Sequence, residues 1–296
     1  MTRDRGSGMD ARLEASLGAA LGARVLGARP LSGGDINDAF EVRLAGGREV
    51  FVKSNVRAPN DMFVAEARGL AWLGEAKALR VPGVLAASGA NEVTPFLALE
   101  LIRPAPRAAN FDERLGRGLA ALHRHGAPAF GLDHDNYIGR LPQTNTFAVT
   151  WPEFYRVRRL GPQLKAAVDA GLAPTRLRRD FERLFARLEA LCGPAEPPAR
   201  LHGDLWGGNL LADDRGEPCL IDPAVYGGHR EIDLAMMKLF GGFGPAVFAA
   251  YKEAFPLADG YRERVALYQL YPLMVHVNLF GTGYLPQVEA ALARLV

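Results

Sequence analysis

The chain has 296 residues, about twice the length of a typical single domain, so we expect two packed parts that share a cleft. Hydrophobic residues make up 49% and charged residues 23%, a balance that excludes an intrinsically disordered chain. The net charge of +2 gives no electrostatic reason to expect a nucleic acid or an anionic membrane as a partner. Two distant cysteines, Cys192 and Cys219, predict neither a disulfide framework nor a zinc site and favour the reducing cytoplasm.

In chain order, the first hundred residues have the pattern of a β-rich unit with one long helix. A short helix is predicted over 10–21, followed by a hairpin of strands 40–44 and 49–53 joined at Gly46 and Gly47. Asp61 offers an N-cap for a helix reaching about residue 79, and strands follow over 84–88 and 96–102. Pro104 and Pro106 cannot continue a strand ladder, so we place the boundary between an N-terminal lobe, 1–102, and a C-terminal lobe, 103–296.

Beyond the prolines the pattern is helical. Apolar residues recur at three-to-four spacing over 111–125, 152–170, 174–192, 229–240, 245–255 and 261–280. The uncharged run 268–285 contains polar residues and a proline, which favours a buried helix over a membrane span. A polar, glycine-rich loop over 201–222 interrupts the helices, and it carries the residues most typical of a reactive site.

That loop contains His202, Asp204 and Asn209 in the pattern H-x-D-x4-N, and Asp222 follows thirteen residues after the asparagine. The spacing resembles the catalytic loop and the metal-binding aspartate of the protein-kinase-like superfamily. In that superfamily one aspartate takes the proton of the acceptor hydroxyl, which predicts Asp204 as general base, while Asn209 and Asp222 are expected to hold Mg²⁺. The alternative is a turn-rich loop with capping side chains, and His202 alone is more typical of a buried structural histidine.

A lysine and a glutamate form a second predicted unit. Lys53 ends a strand, and Glu66 lies on the apolar stripe of the following helix with Met62, Leu70 and Leu73. Because an unpaired buried carboxylate is costly, Lys53 is its expected partner, as in the kinase ion pair that directs a lysine at nucleotide phosphates. The alternative is a solvated lysine and an exposed glutamate.

The remaining nucleotide-binding candidates are mainly backbone groups. Gly33 and Gly34, about twenty residues before Lys53, are expected to let the backbone approach phosphates, although a glycine pair is often only a turn. The backbone from Glu100 to Ile102 lies just before the prolines, where a kinase hinge would bind adenine. ATP and Mg²⁺ are therefore the expected cofactors.

Several further segments resemble the fructosamine kinase (ketosamine-3-kinase) family, and the resemblance covers nearly the whole chain. The segments are DNYIGRLPQTN at 135–145, WPEFY at 151–155 with Arg159 and Leu160, HGDLWGGN at 202–209, DPAVY at 222–226, REIDLAM at 230–236, YQLYP at 268–272 and NLFG at 278–281. The sequence departs from many relatives at Asp35, where some have cysteine, and at Gly227, where many have a second aromatic residue.

The resemblance implies an α+β, two-lobed kinase-like fold and ATP-dependent phosphorylation of the sugar 3-hydroxyl of ketosamines. Ketosamines are adducts of sugars with amines or protein lysines, and the phosphorylated adduct breaks down, which repairs the amine. Asn136, Tyr137, Trp206 and Tyr226 are the expected substrate contacts, although the aromatic residues are also consistent with packing. We expect a cytoplasmic monomer or weak homodimer. Alternatives are an aminoglycoside or choline phosphotransferase of the same fold, or a catalytically inactive ligand-binding protein.

Overall fold

The computed structural model describes residues 9–31, 37–89 and 94–296. Its N-terminal part is a five-stranded antiparallel sheet with two helices, in agreement with the predicted β-rich unit, although its first strand was not among the four predicted strands. The elements are α1 (Ala11–Leu21), β1 (Val25–Leu31), β2 (Asp38–Leu44), β3 (Glu49–Ser54), α2 (Met62–Glu75), β4 (Val84–Ala87) and β5 (Phe96–Glu100). The strand order is β1-β2-β3-β5-β4, so β3 and β5 are interior strands.

One face of this sheet builds its own apolar core. Val42, Val50 and Val52 alternate inward along β2 and β3, and Leu13 and Leu17 of α1 cover them. Asp10 caps α1 through its side chain, which accepts a hydrogen bond from Arg12 N at 3.0 Å. The alternation fixes the register, and the register places Lys53 opposite Ala39 of β2 and Leu97 of β5.

The second part is mainly helical and begins after the sheet ends at Glu100, so the predicted boundary falls in the connection to the next helix. Its elements are α3 (Phe111–His125), β6 (Asn136–Ile138), β7 (Leu141–Gln143), α4 (Trp151–Phe154), α5 (Gly161–Asp169), α6 (Thr175–Leu191), β8 (Ala199–Leu201), β9 (Leu210–Ala212), β10 (Pro218–Leu220), β11 (Tyr226–Gly228), α7 (Glu231–Phe240), α8 (Pro245–Ala254), α9 (Tyr261–Phe280) and α10 (Leu285–Leu292). Helix α9 is buried along most of its length and organises the largest core cluster.

Short antiparallel strand pairs hold the polar loop in place. β8 pairs with β11, and β9 pairs with β10. The segment from β8 to β9 carries Asp204 and Asn209, whereas the segment from β10 to β11 carries Asp222. Because the β9–β10 pair is nested between β8 and β11, the two segments lie side by side, and Asp222 reaches Lys53 of the N-terminal sheet.

The structure corrects three predicted helix features. Helix α2 ends at Glu75 rather than near residue 79, and Asp61 does not cap it through its side chain. The helix predicted over 152–170 is divided, because a π-helical turn, Tyr155–Leu160, separates α4 from α5. A π turn inserts an extra residue per turn and rotates the helix after it, and here it brings the guanidinium of Arg159 into the core. Periodicity over a short window does not reveal such an insertion.

Across 9–31, 37–89 and 94–296, none of the helices combines the length and hydrophobicity needed to cross a bilayer.

Candidate active site

The candidate general base, Asp204, lies in the turn after β8. Gly203 precedes it with φ +82°, and a Cβ atom there would lie 2.0 Å from the carbonyl oxygen of Ala224, so only glycine fits. Burial raises the pKa of Asp204 to about 7, the charges of Asp222 and Asp233 add to this, and the hydrogen bond from Asn209 opposes it. A carboxylate with a pKa near neutrality is suited to accept a proton during catalysis.

Asp233, on α7, fixes the loop that carries Asp204. Its carboxylate accepts hydrogen bonds from His202 N at 2.8 Å and from Gly203 N at 2.9 Å. Burial acts to raise the pKa of Asp233, but the hydrogen bonds from His123 and Gly203 lower it below its ordinary value. Asp233 is therefore charged, and its two backbone hydrogen bonds brace the loop. His202 is buried, and its Nε2 contacts the Ile221 carbonyl at 2.9 Å.

Lys53 connects the sheet to this loop. Its Nζ atom lies 2.8 Å from Glu66 Oε1 and 2.5 Å from Asp222 Oδ1, so the predicted lysine–glutamate pair is present and a second carboxylate joins it. The lysine and glutamate side chains are 8% and 14% exposed, whereas that of Asp222 is 42% exposed. Burial lowers the pKa of Lys53, but the two carboxylates outweigh burial and raise it above its ordinary value. The lysine is therefore charged and directed at the open side of the cleft.

Asn209 and Asp222 present oxygen atoms that suit a hard cation. Asn209 Nδ2 donates to Asp204 Oδ2 at 3.1 Å and to the Asp204 carbonyl at 2.8 Å, which turns the amide oxygen away from Asp204. Asp222 has φ +54°, a rare conformation for a residue with a side chain, and it keeps its carboxylate at the cleft surface. One amide oxygen and one half-exposed carboxylate match the preference of Mg²⁺ for a few protein oxygens completed by phosphate and water.

A small pocket opens beside Asp204. It has a volume of about 290 Å³ including its mouth, and its walls come from β6, α7 and α9. Met236, Tyr271 and His276 line it together with Gly203 and Asp204. The carboxylate thus lies at the edge of a mostly apolar recess, whose water-accessible interior measures about 10 Å³.

The predicted adenine-binding backbone lies at the end of β5. The Glu100 backbone N–H donates to the Gly83 carbonyl at 2.8 Å, and the Glu100 side chain pairs with Arg80 at 2.6 Å. Ile102, two residues further on, is buried. Gly33 and Gly34, with Asp35, lie outside the described residues.

Most of the predicted substrate residues make internal contacts. The Asn136 side chain donates to the Val225 carbonyl and accepts from Gln143 and Asn145, each at 2.8 Å. Tyr137 donates to Asp61 Oδ1 at 2.6 Å, a contact between β6 and the start of α2. These interactions are typical of residues that shape a site, and direct substrate contact stays a prediction for both.

The two other predicted substrate residues differ in exposure. Tyr226 is fully buried, and the Arg159 guanidinium lies 3.8 Å from its ring centroid. Trp206 is 42% exposed and packs over Gly208, where a Cβ atom would lie 2.3 Å from the indole ring. A Cβ atom at Gly227 would lie 2.1 Å from the Ala129 carbonyl oxygen, so an aromatic residue does not fit there.

The sequence reasoning did not predict the role of His123. Its Nε2 atom lies 3.2 Å from Asp233, and its Nδ1 atom lies 2.8 Å from the hydroxyl of Tyr251. The available signal was a histidine four residues after Leu119 on the apolar stripe of α3. A polar group on such a stripe needs a buried partner, and here that partner is the aspartate that braces the catalytic loop.

Comparison with solved structures defines the class of the protein. The aminoglycoside phosphotransferase APH(4)-Ia matches with a TM-score of 0.64 over 96% of this chain and 99% of its own, at 16% identity, which shows a shared kinase-like fold. A structure from Thermobifida fusca assigned as a fructosamine-3-kinase matches more strongly, with a TM-score of 0.87, 40% identity and coverage of 96% and 98%. The chain has the two-part fold of the protein-kinase-like phosphotransferases.

The family follows from sequence comparison. Residues 9–296 match the family "Fructosamine kinase", to which the chain belongs. A "Probable ketoamine kinase" from Synechocystis is 39% identical over 92% of this chain and 90% of that protein. One from Enterococcus faecium is 37% identical over 89% and 93%. The predicted family and fold class are confirmed, and the protein is an enzyme that transfers phosphate to a hydroxyl group.

Proposed function

We propose that the protein transfers the γ-phosphoryl group of ATP to the sugar 3-hydroxyl of ketosamines and thereby promotes loss of the sugar from the amine. The observation that carries the proposal is one connected set of contacts: Lys53 binds Glu66 and Asp222, and Asn209 Nδ2 donates to Asp204 and to the Asp222 carbonyl. A recess opens beside Asp204, and Lys53 lies on the strand that pairs with β5. Membership of the fructosamine kinase family supports a ketosamine as that acceptor.

Each of the side chains in this set has a separate role in the proposed reaction. Asp204 accepts the proton of the attacking hydroxyl, and its pKa near 7 keeps a large fraction of the carboxylate ionised at neutral pH. Lys53 has three N–H donors, of which two contact Glu66 and Asp222, so one is left for a phosphate oxygen. Asn209 orients Asp204 through its amide nitrogen.

The metal and nucleotide sites complete this assignment. Asn209 and Asp222 would hold Mg²⁺, which supplies charge neutralisation for the phosphates. The backbone of Glu100 and Ile102 would bind adenine, and Gly33 and Gly34 would cover the phosphates. Trp206 is the exposed aromatic residue beside Asp204 and would cover the sugar or its amine substituent.

An ADP-release assay tests the proposal directly. The acceptors are Nα-acetyl-fructosyl-lysine, the ribulosyl equivalent, and the 3-deoxy analogue of the fructosyl compound, with a glycated peptide to test protein-bound lysine. We expect turnover with the first two and none with the 3-deoxy compound, and NMR of the product should show phosphate on C3 followed by recovery of the free amine. Asp204→Asn is the matched inactive control. Turnover with an aminoglycoside or choline but with no ketosamine would refute the assignment.

A further inference from the structure

A second, larger pocket lies between α7, α8 and α9, apart from the reactive loop. Its water-accessible interior measures about 50 Å³, within a depression of about 450 Å³ that includes open solvent. Leu234, Phe248 and Val265 give it an apolar floor, and Lys238 and Lys252 stand at its rim. A concave apolar surface with a few convergent charged groups is the usual form of a small-molecule site.

The two rim lysines have no carboxylate within 4 Å in the portion of the chain that the structure describes. Their ammonium groups lie instead near aromatic rings, Lys238 Nζ at 5.3 Å from the Phe248 centroid and Lys252 Nζ at 5.7 Å from that of Tyr261. The chain contains only five lysines among its 35 basic residues, and two of the five converge here. The rim therefore carries two lysines that form no ion pair within 4 Å among the described residues.

The other charged groups around the pocket do not offset the positive charge of the two lysines. The Glu231 carboxylate in the wall is bound by both arms of Arg264, at 2.6 and 2.9 Å, and is neutralised there. Tyr261 accepts a hydrogen bond from Arg262 at 3.2 Å. That bond, followed by the nearby lysine charges, lowers the pKa of the Tyr261 hydroxyl, as expected in a positive environment.

We propose that this pocket binds a small molecule that carries one carboxylate on an apolar aromatic or aliphatic body. The floor removes the apolar body from water, and the lysines provide charge-assisted hydrogen bonds to the carboxylate at the rim. A neutral molecule would leave the lysines without a partner, and a cation would be repelled by them. The pocket therefore selects by charge as well as by shape.

Helix α7 separates this pocket from the acceptor pocket. Ile232 and Met236 face the recess beside Asp204, whereas Leu234 and Lys238 face the second pocket. A ligand in the second pocket therefore occupies none of the space proposed for ATP or the ketosamine, and it should bind together with Mg²⁺-ATP. Ligand binding in the second pocket does not depend on which molecule accepts the phosphate.

Isothermal titration calorimetry with 4-phenylbutyrate, 4-phenylbutan-1-ol and 4-phenylbutylamine tests the proposal on the full chain. We expect saturable binding of the carboxylate with a Kd at or below about 1 mM, and at least about tenfold weaker binding of the alcohol and the amine. Saturating Mg²⁺-ATP should leave the carboxylate affinity unchanged.

Variants locate the site. The double variant Lys238→Gln/Lys252→Gln should weaken 4-phenylbutyrate binding at least about tenfold, and Lys165→Gln, an exposed lysine on α5, should not. Val265→Trp should fill the pocket and abolish binding, while an unchanged circular dichroism spectrum and thermal unfolding midpoint confirm that the variant is folded. Absence of carboxylate binding, equal binding of the alcohol, an equal loss in Lys165→Gln, or displacement by Mg²⁺-ATP would each overturn the proposal.

Discussion

The contact between Lys53 and its two carboxylates provides the sharpest quantitative test of the site. Substitution of the lysine by methionine preserves the aliphatic chain but leaves Glu66 and Asp222 without their shared cation. Substitution of Glu66 by glutamine instead leaves Lys53 in contact with Asp222 at 2.5 Å. The lysine should therefore matter more than the glutamate, although both belong to one ion pair.

The burial of the Lys53–Glu66 pair determines how much each substitution lowers the free energy of unfolding. Because both side chains are less than 15% exposed, at 8% and 14%, removal of one partner leaves a poorly solvated charge. We expect Lys53→Met to lower the free energy of unfolding by about 3 kcal/mol and Glu66→Gln by about 1–2 kcal/mol. The double variant should lose about 3 kcal/mol rather than the sum, which corresponds to a coupling free energy of about 1–2 kcal/mol.

Urea denaturation of the four proteins of this cycle gives the stability values, and kcat/KM from the ADP-release assay gives the parallel catalytic cycle. Arg68→Gln is the matched control, because Arg68 lies on the same helix as Glu66 but its pair with Asp133 has side chains 49% and 68% exposed. This control should lose at most about 0.5 kcal/mol. Strict additivity, or a loss in Glu66→Gln as large as in Lys53→Met, would refute the reasoning.

Four further outcomes are expected from the site. Asp204→Asn should lower kcat by roughly 10² to 10⁴ while ATP binding is kept, and near wild-type turnover would contradict the general-base role. In the wild-type enzyme, kcat/KM should fall as the pH drops through about 7, because protonation of Asp204 removes the base; a flat profile from pH 6 to 8 would contradict this. The same raised pKa means that the folded state binds more protons than the unfolded state between about pH 4 and 7, so stability falls as the pH rises through that window, and the Asp204→Asn variant should show a smaller fall in thermal melting. Asp222→Ala should lose Mg²⁺-dependent ATP binding in calorimetry, and an unchanged affinity would argue against its role as a metal ligand.

Local patterns predicted the parts of the fold that depend on local physics. The alternation in β3 and the helical stripe of α2 predicted that Lys53 and Glu66 form a pair. In the structure, Lys53 Nζ lies 2.8 Å from Glu66 Oε1. The loop spacing predicted that Asp204, Asn209 and Asp222 lie together, and the Asn209 amide contacts both aspartates; their catalytic and metal-binding roles stay predictions. In each case a short-range periodicity or spacing contains the information, because the neighbouring backbone fixes the side chain's direction.

Other features depend on contacts between distant segments, and the sequence did not reveal them. The contact of Lys53 with Asp222 spans 169 positions in the chain. The π-helical turn that buries Arg159 depends on acceptors in the preceding loop, where Asn145 Oδ1 lies 2.7 Å from its guanidinium. The last residue of α2, Glu75, contacts Arg200 of β8 at 3.0 Å, a contact that spans 125 positions in the chain. Such interactions become visible only when the whole chain is assembled.

The three aspartates around the catalytic loop show how environment assigns different roles to one side-chain type. Asp233 accepts two backbone N–H groups and a histidine, which lower its pKa, so it is a permanent anion that holds the loop. Asp222 contacts a charged lysine and is half-exposed, so it is suited to a cation. Asp204 receives only an amide hydrogen bond in a buried position, and its pKa rises to about 7. Since the charges of Asp222 and Asp233 raise the pKa of Asp204 further, the base strength of Asp204 arises from the same arrangement that holds the loop in place.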